Sequence, residues 1–429
     1  MAIAILSLVV LVILFVVATV LPINIGSIAL VASFVVGVLI AGLKLNDLFT
    51  AFPTNLFVLL AGITYMFAIA QQNGSMRILT NGAIRLVRGN VAIIPWVFHV
   101  LAIVISGIGA GPAASTAILA PMAMAVAYAA RINPLLMGVM LVHGSHAGSM
   151  APISPIGAIV NGTVAAQGLP DVSNPLFINA LILNILIAVG AYLLLGGIPL
   201  IRRRHEVFEN TGVGIEGGAS SENAENSAMH LNFHHIATFV GIVLLLVFSV
   251  GFKLDVGFTA FTIGVVLALL SPKQEQRAIN QIAWPTILMI GGILTYISVM
   301  TKVGGMDLIS HGLTSVGSPL VSVMFVAAIG AITSLFSATG AVLGATIPLL
   351  AQVLAGSTGI SLAGSVSTLA ISSAVVDSSP MSLQGAVLIG AVQGVERTRF
   401  FRQLLLWGVA MVFVGTLVPW LLFVVLAIW

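Results

Sequence analysis

The chain has 429 residues, a formal net charge of +3, and is 59% hydrophobic but only 6% charged, where soluble globular domains carry about 25% charged residues. The absence of cysteine excludes disulfides, thiolate metal sites and cysteine nucleophiles. The basic residues sit at the ends of apolar runs and form no patch suited to nucleic acid.

Several apolar runs approach or exceed the roughly 18–20 residues that cross a bilayer, so the chain reads as an all-α polytopic membrane protein. Membrane helices are expected at 3–20, 26–43, 55–71, 175–198, 235–251, 256–271, 284–301 and 404–428. The first has no basic leader and no small-residue cleavage site, and reads as a retained helix. Segments 134–165 and 361–391 are long and interrupted. As one helix, 134–165 would measure about 48 Å against a hydrocarbon core of about 30 Å. A break at 148–156 resolves this. Segments 91–129 and 319–352 are apolar with Gly/Ser/Pro-rich middles. Each is either a pair of spans or a re-entrant hairpin, and arms of roughly 16 residues, about 24 Å long, favour hairpins. The hydrophilic stretch Arg202–His235 reads as a linker. It divides the chain into a first unit at 1–200, a linker at 201–234 and a second unit at 235–429.

The distribution of basic residues sets the orientation. With five crossings per half and both termini outside, Arg77, Arg85, Arg88, Arg131, Arg202, Arg203, Arg204, Lys273, Arg277, Arg397, Arg399, Arg402 and the linker fall in the cytoplasm. Lys44, Lys253 and Lys302 fall outside.

The halves repeat. PISPIGAIVNG (152–162) matches PMSLQGAVLIG (380–390) at a constant offset of 228. Pro53-Thr54 matches Pro285-Thr286, Thr64-Tyr65 matches Thr295-Tyr296, and Gly74 with Met76 matches Gly304 with Met306. An odd number of crossings per half makes the second copy inverted. Inverted repeats with paired interrupted helices mark secondary transporters, which bind substrate near the midplane.

Irregular backbone survives at bilayer depth only where protein or a water-filled cavity surrounds it. Four breaks are therefore expected to converge. Each ends in a helix N-terminus, whose free N–H groups and dipole favour anions. Carbonyls and hydroxyls at the preceding half-helix ends favour small cations. No Lys or Arg lies inside an apolar segment, so a buried anion would need helix N-termini, a bound cation or a protonated His. Asp377 is the one acid in a membrane break, and reads as a cation ligand or proton carrier, or as a cap of the following half-helix. His143 and His146 share a helix face beside the first break; they either titrate or bond substrate, or are neutral packing groups. His99 reads as structural.

With these residues in view, the sequence resembles the MatC-type dicarboxylate (malonate) carriers of the ion-transporter superfamily. The likeness rests on LPINIGSIAL, AFPTNLFVLLAGITYMFAIAQQNG, RLVRGNVAIIPWV, GIGAGPAASTAILAPMA, HGSHAGSMAPISPIGAIVNG and, in the second half, VVDSSPMSLQGAVLIGA. The resemblance, which extends to the divalent-anion/sodium symporters, implies two inverted repeats, a hairpin in each, elevator-type motion and a homodimer in the inner membrane. Those symporters carry Ser-Asn-Thr at each hairpin tip. Here the corresponding positions are Gly111-Pro112-Ala113 and Ala338-Thr339-Gly340, so sodium coupling does not carry over and protons remain open.

The reading is a secondary transporter of a small dicarboxylate, malonate first, coupled to Na⁺ or H⁺ and needing no other cofactor. Substrate is expected at Gly109, Gly111, Pro112, Ala113, Ser115, His146, Ser149, Ser154, Ser337, Thr339, Gly340, Ser379 and Ser382. Coupling is expected at Ser106, Gly148, Ser337, Asp377, Ser378 and His143, where Na⁺ would be the metal if one binds. A cation/proton antiporter or a channel is the alternative within transport. An intramembrane protease is disfavoured: a single intramembrane Asp and no HExxH leave only a Ser/His pair, and catalysis needs no second copy of the break.

Overall fold

The computed structural model describes residues 1–21, 23–75, 78, 90–202, 232–248, 252, 254–306, 308, 318–335, 339–355 and 359–427. Linker residues 203–231 and the expected positions Met76, Arg77, Arg85, Arg88, Lys253, Ser337 and Ala338 lie outside them. Among the described residues the regular structure is helical, with no strand.

In chain order the first half comprises α1 (Ala2–Val20), α2 (Ile25–Ala32, continued as a π-helical stretch Ser33–Ile40), α3 (Leu45–Ala51), α4 (Thr54–Gln72), α5 (Ile94–Ile105), α6 (Gly111–Ala129), α7 (Pro134–Ser149), α8 (Pro155–Ala166), α9 (Ser173–Leu194) and α10 (Gly197–Arg202). The second half comprises α11 (Phe233–Leu246), α12 (Val256–Leu270), α13 (Pro272–Asn280), α14 (Trp284–Lys302), α15 (Pro319–Ser334), α16 (Thr339–Ala355), α17 (Leu362–Val375), α18 (Leu383–Ala391) and α19 (Arg397–Pro419). Helices α6, α7 and α8 start 228 residues before α16, α17 and α18, the offset of the sequence repeat.

The structure departs from the sequence reading in several places. The first break is confined to 150–154, so Gly148 and Ser149 are helical. The last helix starts at Arg397, not 404, because Arg397, Arg399 and Arg402 end the apolar run without ending the helical backbone. Short helices α3 and α13 fill connections that carry too little apolar sequence to register as spans.

Among the described residues, four helical runs are long and apolar enough to cross a membrane: Thr54–Gln72, Ile94–Ala129, Ser173–Leu194 and Arg397–Val425. The second is not one span. Ser115 Oγ donates to Ala102 O at 3.4 Å across 13 residues, which continuous helix would hold about 20 Å apart. Gly109, at φ +120°, makes the reversal, so α5 and α6 form a hairpin. Arms α15 and α16 likewise pack on each other.

Packing between the halves is reciprocal. Helix α2 packs on α14 as α12 packs on α4, α6 on α18 as α16 on α8, and α9 on α17 as α19 on α7. Glycines explain the first pair of crossings. A Cβ on Gly26 would strike the backbone of Leu288 and Met289, and one on Gly292 would strike Gly26 O. Gly257 and Gly62 meet in the same way, with Gly257 against Leu59 and Gly62 against Gly257 O. Small residues let helix backbones approach closely where lipid gives no hydrophobic drive to association. Gly292→Ala is accordingly expected to cost roughly 1–3 kcal/mol and to lower the apparent melting temperature in detergent. Gly190→Ala, with nothing within 4 Å of the added carbon, leaves it unchanged.

At one end of the bundle Lys302 Nζ meets Asp47 Oδ1 at 2.9 Å. The Lys302 hydrogen bond holds the exposed Asp47 carboxyl below the usual carboxylate range. This pair joins α3 of one half to α14 of the other, and it brings together Lys302 and the loop of Lys44, two of the cations expected on one membrane face.

Candidate functional site

The breaks have a common local cause. Proline removes an N–H and pushes the preceding residue out of the helical region. Ser154, before Pro155, has φ −81° and ψ 147°. Ser379, before Pro380, has φ −62° and ψ 146°. Each loop then folds back on the first turn of the next half-helix. A Cβ on Gly157 would strike Ala151 O, and one on Gly385 would strike Ser379 O, so both positions require glycine. Ser382 caps α18 by accepting from Gly385 N at 3.1 Å.

The hairpins and breaks enclose a cavity of about 430 Å³, within the range of small-molecule sites. Its wall carries the starts of four helices: Gly111 and Pro112 of α6, Pro155 and Ile156 of α8, Thr339 and Gly340 of α16, and Leu383 and Gln384 of α18. Leu60, Thr64, Phe67, Ala68 and Gln71 of α4 close one side, with Gln281, Ala283 and Met289. Among the described residues the lining holds one ionisable side chain, Asp377, and no Lys, Arg or His. Each helix start presents unpaired N–H groups and a partial positive charge of about half an elementary unit. The cavity therefore draws its positive potential from backbone alone.

Asp377 ties three segments together. Its Oδ2 accepts from Thr339 Oγ1, and its Oδ1 accepts from Ser334 Oγ at 3.5 Å. Ser382 Oγ donates to its backbone carbonyl. The carboxylate thus bridges both arms of the second hairpin to the second break. These oxygens are the ones suited to a small hard cation or a proton. Among the described residues no group of three or more His, Cys, Asp or Glu could hold a metal.

Of the expected site residues, Gly111, Pro112, Ala113, Thr339, Gly340, Asp377 and Ser382 line the cavity. Gly109 lies behind the tip, against the Phe67 ring. The other described ones are buried and do not line it. Ser115 bonds Ala102 O and accepts from Ser145 at 3.2 Å. Ser149 donates to His146 O at 2.8 Å and Ser378 to Val375 O at 2.9 Å. Ser379 Oγ accepts weakly from Met381 N at 3.4 Å. Ser106 and Ser154 hydroxyls have no partner within hydrogen-bond distance among the described residues. Gly148 packs on Ile103 O and Gly107.

His99, His143 and His146 are interior. Trp407 Nε1, which can only donate, bonds His143 Nε2 at 3.1 Å, so His143 carries its proton on Nδ1 and gives it to Asn184 Oδ1 at 3.0 Å. His146 Nε2 lies 3.4 Å from Gln384 Nε2. His99 Nδ1 bonds Met140 O at 2.7 Å and joins the hairpin to α7.

The sequence reading missed Gln384. It is buried on the cavity wall, and its Oε1 accepts from Thr116 Oγ1 at 2.8 Å. Its first-half counterpart at the 228 offset is Ile156, so the amide is an asymmetry between otherwise matching breaks. Its position two residues after Ser382, in the first turn that follows the Pro380-Met-Ser382 break, is the available signal.

Residues 1–149 match the family model described as the dicarboxylate carrier protein MatC N-terminus. The matched stretch runs from α1 through α7 and includes the first hairpin tip. The resemblance to MatC-type carriers therefore holds over that part of the chain. Among solved structures, the chain is similar in fold to the Alcanivorax borkumensis YdaH transporter, reported to have an unusual topology. The TM-score is 0.61 at 14% identity, over 87% of this chain and 86% of that one. No curated protein sequence matches.

Proposed function

We propose that this chain, matched over its first 149 residues by the MatC dicarboxylate carrier model, is a secondary active transporter that moves a small dicarboxylate, malonate first, across the cytoplasmic membrane, coupled to Na⁺ or H⁺. The observation that carries this reading is the convergence of four helix N-termini on one cavity with no basic side chain among its described lining residues. Free N–H groups at helix starts bind carboxylate oxygens, and several such starts on one cavity suit a molecule with more than one carboxylate. The apolar wall of Leu60, Phe67, Ile118 and Ile156 accommodates the carbon between them. The fold likeness to a known transporter agrees with this reading.

The reciprocal helix packing supports two inverted repeats, at 1–200 and 235–429, joined by a cytoplasmic linker at 201–234, with both termini outside. The hairpins and broken helices would form the moving body of an elevator, carried against a scaffold of α2, α4, α12 and α14 in a homodimer. The scaffold assignment follows from the glycine-mediated crossings of those four helices, which bind them closely to one another.

The test is counterflow of radiolabelled malonate into proteoliposomes preloaded with unlabelled malonate, repeated with an imposed Na⁺ gradient or an imposed pH gradient. Saturable counterflow, inhibited by other short dicarboxylates and not by monocarboxylates, is the expected result. Absence of saturable malonate exchange would overturn the assignment, and non-saturable flux would indicate a channel.

A further inference from the structure

The two hairpins are closed by different chemistry. Ser334, Thr339 and Asp377 of the second half correspond at the 228 offset to Ser106, Gly111 and Ser149 of the first. In the second half a carboxylate accepts from hydroxyls on both hairpin arms. In the first half the equivalent Ser149 turns its hydroxyl back to His146 O. That hairpin is instead wedged by contact of its glycines with Gly148, Phe67 and Pro155. One hairpin is held sterically and the other by a titratable group on the cavity wall.

The charge of the cavity depends on that group. Four helix starts supply roughly two positive charges in total. An ionised Asp377 cancels about half of this and leaves too little for a dianion. A protonated Asp377 leaves all of it. Building on the dicarboxylate reading above, we propose that Asp377 is the proton-binding group of the carrier, and that the dicarboxylate is bound and carried together with one proton on this side chain. The proton arrives from the outer aqueous phase, forms an O–H bond on a carboxyl oxygen, and leaves to the cytoplasmic phase when the substrate does. Ser334 can follow the change, because a hydroxyl that donates to the carboxylate can rotate to accept from the acid. The latch on the second hairpin is thereby rearranged in the loaded carrier, while the first hairpin is unaffected.

No other titratable group on the elements packed around Asp377 is placed for this role. Helices α15, α16, α17 and α18 have none. Helix α19 has Arg397, Arg399 and Arg402 in its exposed first turns. Helix α7 has His143, with both ring nitrogens engaged, and His146, set behind Gln384.

The proposal is tested in Na⁺-free proteoliposomes holding a trapped pH-sensitive dye. With wild-type protein, added malonate is expected to acidify the lumen, and an outside-acidic gradient is expected to drive malonate uphill. Malonate affinity is expected to rise as the pH is lowered from mildly alkaline to mildly acidic. Asp377→Asn should reduce malonate-driven proton entry at least tenfold and flatten the pH dependence of malonate binding, and Asp377→Glu should restore both in part. In a parallel assay with an imposed Na⁺ gradient, net uphill malonate uptake by wild type that needs Na⁺ and brings no proton into the lumen overturns this proposal and leaves the dicarboxylate reading standing. Undiminished proton entry with Asp377→Asn also overturns it, since the proton would then travel on the substrate. Absence of malonate counterflow in wild type removes both. Size-exclusion chromatography reports whether a variant folds; where Asp377→Asn does not, Asp377→Glu carries the test, because moving the carboxyl by one methylene should shift the pH dependence of malonate binding, and an unshifted dependence overturns the proposal.

Discussion

Ala113→Asp is expected to abolish malonate counterflow while leaving the protein at least as heat-stable as wild type. Ala113 is the third residue of α6 and lies on the cavity wall. A carboxylate in the first turn of a helix is favourable by about 0.3–1 kcal/mol, because it meets free N–H groups and the positive end of the dipole. The substituted side chain would occupy the position proposed for one carboxylate of the substrate. An incoming dianion would then face a fixed negative charge that the proton on Asp377 does not remove, with no Lys or Arg among the described wall residues to offset it. Each 1.4 kcal/mol of lost binding is a factor of ten in affinity, and bringing like charges together in a partly buried site costs several times that. A fall of a hundredfold or more is expected. Ala113→Asn has nearly the same shape without the charge and should keep a measurable part of the flux. The two variants are compared by thermal unfolding in detergent and by counterflow. Equal transport by both would show that the start of α6 does not face the anion.

Much of this architecture is legible in the chain because its breaks are written in residues with backbone consequences. Pro152, Pro155 and Pro380 forbid helix continuation, and Gly157 and Gly385 recur at the places where the loop folds back on the next turn. The hairpin at 91–129 is legible from arm length and from the Gly-rich tip. Other features are not legible for physical reasons. Gly26, Gly62, Gly257 and Gly292 set the helix crossings, yet nothing local distinguishes them among 44 glycines, since their role is to meet a distant backbone. Serines beside a break look like ligands in sequence, but Ser149 and Ser378 satisfy themselves on the preceding helical turn, as hydroxyls in helices commonly do. Gln71, Gln281 and Gln384 reach the cavity from helix ends, where an amide reads as ordinary surface. His143 and His146 share one helix face as their spacing requires, but that face meets α9, α18 and α19 through Asn184, Gln384 and Trp407. Spacing fixes which residues are neighbours on a helix; it does not fix what the helix is packed against.

Gly109→Ala is expected to be the most damaging single-methyl change at the first hairpin, and its cause can be separated into two parts. Gly109 has φ +120° and ψ −5°, a conformation that costs an L-residue about 1–3 kcal/mol. The added carbon would also overlap the Phe67 ring, a side chain that forms part of the cavity wall. Relief of both strains requires the hairpin tip to move, and with it Gly111 and Pro112 at the start of α6. A positional error of about 1 Å in a binding group is enough for a hundredfold loss of function in comparable sites. The variant should therefore lose counterflow at least tenfold and melt earlier. Phe67→Ala removes the overlap but not the backbone strain. In the double variant Gly109→Ala/Phe67→Ala, part of the stability lost should return, so that the two costs sum to less than their separate values. That non-additivity is the signature of residues in contact. Strictly additive losses would mean that the ring does not brace the tip, and that the backbone conformation alone makes glycine necessary at this position.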